Sequence, residues 1–158
     1  MKCDANRIQH SNLIFYCSMD SGAQLLEKIL RKNNLFVTNA RKVVFMSLWG
    51  KEPQTMHEIE NAVSSKINRT SIYRVIELYV RLGIVQKIQT GWKYKIELSD
   101  IFVEHHHHLT CIHCGRLIAI HEHEEIERFI DKVSRKYAFS NTSHQLEIQG
   151  VCPDCSSK

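Results

Sequence analysis

Four consecutive histidines, His105, His106, His107 and His108, lead into a Cys-x-x-Cys pair at Cys111 and Cys114, and no other stretch limits the possible folds so sharply. An affinity tag sits at a terminus, whereas this run is internal. A solvated polar loop has no need of four imidazoles beside two thiols. If the run is extended, successive side chains alternate between faces. His105 and His107 then point one way, and His106 and His108 the other. One strand can therefore serve two separate metal sites, while Cys111 and Cys114 begin a third.

A second pair, Cys152 and Cys155, completes a set of four thiols. In a cytosolic chain two such pairs read as tetrathiolate zinc, a closed, structural site. Redox use is the weaker reading, because a thioredoxin-like motif follows a strand and opens a helix. The pairs are too far apart for a compact zinc ribbon, so a folded unit must bring them together. Cys3 and Cys17 read as ordinary free thiols. An apolar content of 43% with two prolines and six glycines excludes a disordered chain. The net charge of +4 permits nucleic-acid binding without demanding it. No apolar run is long enough for a bilayer, and residues 12–17 are too short for a signal segment, so a cytoplasmic protein without a membrane partner is expected.

The first half reads as helices followed by a hairpin. Residues 1–20 have no periodicity and are expected to form a flexible arm; Met19 is a candidate start of the regular sequence. Leu25, Leu26, Ile29 and Leu30 mark a first helix from Ser21, stopped by Asn33-Asn34. Thr38 caps a second that runs to about Trp49. Thr55 and Glu58 form a capping box for a third, burying Met56, Ile59, Ala62 and Val63. Asn68 caps a fourth with an apolar stripe of Ile72, Val75, Ile76, Tyr79 and Val80. Its other face presents Arg69, Thr70, Tyr73, Arg74, Glu77 and Arg81. Strands at 84–89 and 92–98 flank Thr90-Gly91, and in the second, Trp92, Tyr94, Ile96 and Leu98 alternate with Lys93, Lys95 and Glu97. Helices ending in a short basic hairpin make a winged helix-turn-helix over 21–98. The fourth helix is expected in the major groove of double-stranded DNA, with Lys87, Lys93 and Lys95 of the wing on phosphates. A plain helical domain with a solvated basic face is the bland alternative. It leaves unexplained the basic and aromatic residues gathered at the start of the fourth helix.

After a hinge at 99–104, residues 105–158 read as a small α/β dimerisation domain. Strands at 109–112 and 117–120 flank Cys114-Gly115. A helix over 122–137 carries Ile126, Phe129, Ile130, Val133 and Tyr137 on one side. A last strand over 144–150 leads to Cys152. A core this small is marginal alone, and zinc or a twofold partner would supply the missing stability. The class is α+β. Two recognition helices in a dimer would suit a palindromic operator.

His105 and His107 need further donors. Glu127, at the start of the long helix, and His144, on the inward face of the last strand, are the candidates. Alone, His144 reads as a core histidine and Glu127 as a surface charge; they gain meaning only as a set of four. On the other face, a metal held by Glu97, His106 and His108 would bridge the two halves, as a sensor requires. His10, His121 or His123 could complete that site, although each alone reads as an exposed histidine.

These residues resemble the ferric uptake regulator (Fur) family of metal-responsive repressors. The resemblance covers about residues 22–155. It rests on Thr38-Asn-Ala-Arg41, Thr70-Ser71-Ile-Tyr73-Arg74-Val75, the four histidines, Cys111-x-x-Cys114-Gly115 and Cys152-x-x-Cys155. It implies a dimeric repressor of metal uptake or homeostasis genes, with Arg41, Arg69, Thr70, Ser71, Tyr73, Arg74 and Lys93 at the DNA. It also implies a metal at His105, His107, Glu127 and His144, and a sensor ion at Glu97, His106 and His108. The chain departs from the iron-type pattern in two places. Glu52-Pro53-Gln54 stands where a histidine usually precedes the third helix, and Ala119 stands where a carboxylate usually follows the first Cys-x-x-Cys. Four unbroken histidines are similar to zinc-sensing members, but the cysteine those often contribute is replaced by Glu97. Fe2+ and Zn2+ both remain candidates for the regulatory metal. A zinc hydrolase would need an open coordination position and a general base, and no His-Glu-x-x-His motif is present. A zinc-storage protein would use the donors and ignore the winged helix.

Overall fold

Caps decide where the helices of the first half begin. The computed structural model describes residues 19–90, 93–140 and 143–157, with the backbone alone at Met19 and Asp20. Helix α1 (Met19–Lys32) opens two residues earlier than its apolar spacing suggests and stops before Asn34, which takes a left-handed φ of 56°. Cys3, His10, Cys17 and most of the expected arm lie outside the described residues. Thr38 accepts the Arg41 N–H and starts α2 (Asn39–Leu48). The Thr55–Glu58 capping box starts α3 (Met56–Val63). Asn68 Oδ1 accepts the Ser71 N–H at 2.9 Å and starts α4 (Arg69–Arg81). Gly83, at φ 65°, turns the chain out of α4 into the hairpin.

The apolar faces of these helices and of the hairpin meet in one core. It includes Leu26, Leu30, Phe45, Leu48, Ile59, Val63, Ile72, Ile76, Tyr79, Ile96 and Leu98. Each such side chain contributes about 1.5–3 kcal/mol when fully buried. Two expected core positions differ. Ala62 is exposed, and Val80 is 36% exposed while Leu78 is buried in its place. Trp49 fills the space beside Phe45 and Phe102, and its ring lies so close to Gly22 of α1 that a Cβ there would collide with it.

Strands β1 (Val85–Thr90) and β2 (Lys93–Leu98) pair antiparallel, with Val85 opposite Leu98 and Thr90 opposite Lys93. Thr90, where the sequence expects the turn to begin, is thus still paired in the strand, and this register buries Val85 and Leu98 together. Gly91 and Trp92 lie outside the described residues. Strict alternation fails in β2: Tyr94 is exposed and Glu97 is 6% exposed. Gln54 exchanges both backbone hydrogen bonds with Ile96, at 2.8 and 2.7 Å, and so fastens the α2–α3 loop beside Glu97.

The connector is not slack chain. Phe102 meets Phe45 and Trp49 edge-on, and Val103 also packs on the core. Beyond it, β3 (His106–Cys111) is the middle strand of a three-stranded sheet, three residues longer at its start than hydropathy alone suggests. Strand β4 (Leu117–His121) joins one side antiparallel. Helix α5 (Glu124–Lys136) follows, with Glu124, Glu125 and Glu127 at the positive end of its dipole. Strand β5 (Glu147–Gly150) joins the other side of β3 in parallel. His144 precedes this strand rather than belonging to it. A four-residue helix α6 (Pro153–Ser156), unexpected from the sequence, carries Cys155.

Candidate metal centres and nucleic-acid interface

The extended backbone of β3 sorts the histidines as a period of two requires. His106 and His108 face the winged-helix half, and His107 faces α5 with His105 beside it. Three groups of donor atoms result, each group lying within 4.8 Å of itself.

The first group is Cys111, Cys114, Cys152 and Cys155. Gly115, at φ 70°, makes the turn between Cys114 and β4, and the parallel pairing of β5 with β3 returns Cys152 beside Cys111. Cys114 and Cys152 sulfurs stand 3.7 Å apart. Tetrahedral zinc with Zn–S near 2.3 Å sets its sulfurs about 3.8 Å apart. Backbone amides at Cys114 and Cys152 point at the Cys111 sulfur and lower its pKa to about 6, the Cys152 N–H donating at 3.3 Å. The Cys155 thiol donates to the Cys152 sulfur, and this, with the other sulfurs close by, pushes Cys155 up to about 12. Four sulfurs this close ionise together only around a cation, so the set fits zinc.

The second group is His105, His107, Glu127 and His144. Their inward atoms are all Nε2 or the Glu127 Oε1. His107 Nε2 is 3.0 Å and His144 Nε2 3.3 Å from that oxygen, and the His105 and His144 Nε2 atoms are 3.1 Å apart. Ligand bonds of about 2.0–2.1 Å in a tetrahedron give spacings of about 3.3 Å. Asp100 Oδ2 accepts the His105 Nδ1–H at 2.6 Å, which holds that ring with Nε2 inward. Burial works against protonation of His105, but the Asp100 carboxylate outweighs it and raises the pKa.

The third group is Glu97, His106 and His108. Glu97 Oε2 lies 3.3 Å from His106 Nε2 and 3.4 Å from His108 Nε2. The His108 Nε2 is buried and, apart from this ion-pair contact with Glu97, has no hydrogen-bond partner among the described residues. An ion at the convergence point would satisfy it. Gln86, paired across the hairpin with Glu97, donates to Oε1 at 2.7 Å and leaves Oε2 to face the imidazoles. His106 Nδ1–H donates to the Glu104 carbonyl at 2.8 Å, which leaves its Nε2 lone pair inward. Burial raises the pKa of Glu97, yet His108 and Gln86 more than offset it, so the carboxyl ionises below its ordinary value.

The three sets of donors singled out in the sequence are each brought together, whereas His121 and His123 stand outside the Glu97 group and His10 lies outside the described residues. Asp100 and Gln86, which orient donors without binding, were not foreseen. Neither was legible: a turn at Thr90-Gly91 would set Glu97 opposite Ile84 rather than Gln86, and Asp100 carries no pattern. Of the residues expected at DNA, Arg69, Thr70, Tyr73 and Arg74 are exposed on α4, Ser71 is half-buried, and Lys93 is exposed in the wing. Arg69 bonds Glu60 of α3 at 3.1 Å and lies over the Tyr73 ring. Arg41 donates to the Phe36 carbonyl and shares a groove with Arg74, Arg81 and Lys87.

A family model described as the ferric uptake regulator family matches residues 32–149. The chain belongs to the ferric uptake regulator family. Members are metal-responsive, dimeric DNA-binding regulators of transcription, and this chain is one of them. A ferric uptake regulation protein of Neisseria meningitidis is 29% identical over 142 residues, 88% of this chain and 90% of its own. One from Campylobacter upsaliensis is 30% identical over 84% of this chain and 87% of its own. The solved ferric uptake regulator of Helicobacter pylori, described as having three functional metal-binding sites, superposes with a TM-score of 0.72. It is 23% identical, over 88% of this chain and 94% of that one, and shows the shared fold. No helix among the described residues is long and apolar enough to cross a membrane.

Proposed function

We propose that this chain represses metal-homeostasis genes by binding a palindromic operator when one divalent ion joins Glu97 to His106 and His108. The observation that carries the reading is the convergence of Glu97 Oε2 with both imidazoles at 3.3 and 3.4 Å, across the two halves of the chain. An ion there supplies a bond between the wing strand and the central strand of the second sheet. It fixes the winged helix (21–98) on the dimerisation domain (105–158) across the hinge at 99–104. Coupling between ion and operator is then reciprocal. The four cysteines hold structural zinc. His105, His107, Glu127 and His144 hold a second ion that braces β3 against α5.

At the operator, Arg69, Thr70, Ser71, Tyr73 and Arg74 face the major groove, while Arg41 and Lys93 meet phosphates. The protein acts in the cytoplasm, as a regulator and not as an enzyme. Zinc and ferrous iron compete for the sensor position, and two imidazoles with one carboxylate suit either. Operator binding titrated with each ion, after elemental analysis of protein purified without added metal, separates them. His106→Ala or His108→Ala should abolish metal-dependent operator binding without unfolding the chain. Tyr73→Ala combined with Arg74→Ala should abolish operator binding and leave metal content intact. Metal-dependent operator binding that survived this double change would favour zinc storage over operator recognition.

A further inference from the structure

Glu97, His106 and His108 offer three donors, one short of the four that close a tetrahedral zinc site. We infer that His121 supplies the fourth, so that the ion between the halves sits among three imidazoles and one carboxylate. The inference rests on the sensor reading of that site. In an antiparallel pair, directly opposed residues share a face, with Cβ atoms about 4.5–5.5 Å apart. Strands β3 and β4 oppose His121 to His106 and Ala119 to His108. His121 therefore leaves the sheet on the sensor side, while His107 and its partner Ile120 leave the other.

A second observation points to the same residue. His121, Ala119, His106 and Glu97 wall one cleft of about 210 Å³. Ala119, opposite His108 in the sheet, contributes only a methyl group to that wall. The His121 ring is exposed and makes no hydrogen bond or ion pair among the described residues. It stands outside the group already within 4.8 Å, so the assignment requires its side chain to turn towards the ion. Glu52 reaches the same cleft from the α2–α3 loop, but no strand register aims it at the imidazoles. Glu104 lines that cleft from the connector, likewise outside any strand register. An imidazole at 121, on the same face as Ala119, turns the site towards nitrogen donors and four-coordination, the preference of zinc.

The test measures zinc affinity by chelator competition on the full chain with its cysteine site filled. His121→Ala should weaken one site by about 100-fold, the upper end of what loss of a supporting residue costs. Melting and dimer content should stay unchanged, and operator binding should need correspondingly more zinc. The four-coordinate visible band of cobalt bound in place of zinc should fade in His121→Ala. Glu52→Gln and His123→Ala should behave as the unaltered chain. Unchanged zinc affinity in His121→Ala, or a loss carried by Glu52→Gln in its place, would overturn the assignment. Failure of the sensor reading looks different: His106→Ala would then keep metal-dependent operator binding.

Discussion

Thr55 and Glu58 show how much one local exchange can settle. The Thr55 hydroxyl accepts the Glu58 N–H at 3.2 Å, and the Glu58 carboxylate accepts the Thr55 N–H at 2.7 Å. Thr55→Ala should destabilise the chain by about 1 kcal/mol in a thermal or urea melt. The backbone and side-chain hydrogen bonds from Thr55 hold the Glu58 pKa below its ordinary value of 4.5. Because the folded value is lowered, this carboxylate's contribution is complete above the unfolded value and is lost as pH falls through the folded one. The destabilisation by Thr55→Ala should therefore shrink in acid below about pH 4.5. An equal penalty at neutral and strongly acid pH would contradict the coupling. At the same scale, the capping residues were legible because a cap is a local signal. Glu97 was legible only as a ligand, not as a buried charge. Its burial depends on Gln86 and on two rings that arrive from the far side of the connector.

At the scale of elements, α5 is the outlier. None of its residues is buried; Phe129 is 66% and Val133 39% exposed, and Tyr137, just past its end, is 64% exposed. Leu109, Ile118 and Ile148 lie in register across the sheet and are also exposed. An amphipathic helix with its apolar stripe in water, beside an apolar sheet face, is half of an interface. In a dimeric family a second copy would cover it. Phe129→Asp should weaken self-association at least tenfold, read by sedimentation equilibrium, while each chain keeps its zinc. An unchanged dimer would move the interface elsewhere. The sequence disclosed this stripe by its spacing. It could not disclose that β5 is four residues long and runs parallel to β3, because short strands acquire their partners from tertiary contacts. His144 reaches its group from outside the strand for the same reason. Helix α6 is set by Pro153 and the clustered sulfurs, which no periodicity announces.

For the whole molecule, the cysteine cluster decides whether the second half folds. It ties the end of β3 to the segment after β5, and structural zinc in small domains is worth about 10–16 kcal/mol. That equals the entire stability of a typical domain, about 5–15 kcal/mol. Cys111→Ser, or stripping zinc with a strong chelator, should unfold residues 105–157 and dissociate the dimer, measured by circular dichroism and sedimentation. The winged-helix core should persist, since it contains no cysteine ligand. His106→Ala should leave both readouts unchanged, which separates a structural ion from a regulatory one. The helical half and the alternation at residues 105–108 were legible because both follow from period alone. The supporting shell of Asp100, Gln86 and Gln145 was not, since Gln145 bonds Gln86 at 2.9 Å across widely separated chain.

The seat of Phe102 between Phe45 and Trp49 has a thermodynamic consequence. The tether from the aromatic cluster to the start of β3 is a few residues, and Asp100 already grips His105. Glu97 is thereby presented to two imidazoles at a high effective concentration, with little loop entropy left to lose. The incoming ion does not gather its donors from a distance; most of that ordering was completed when the chain folded.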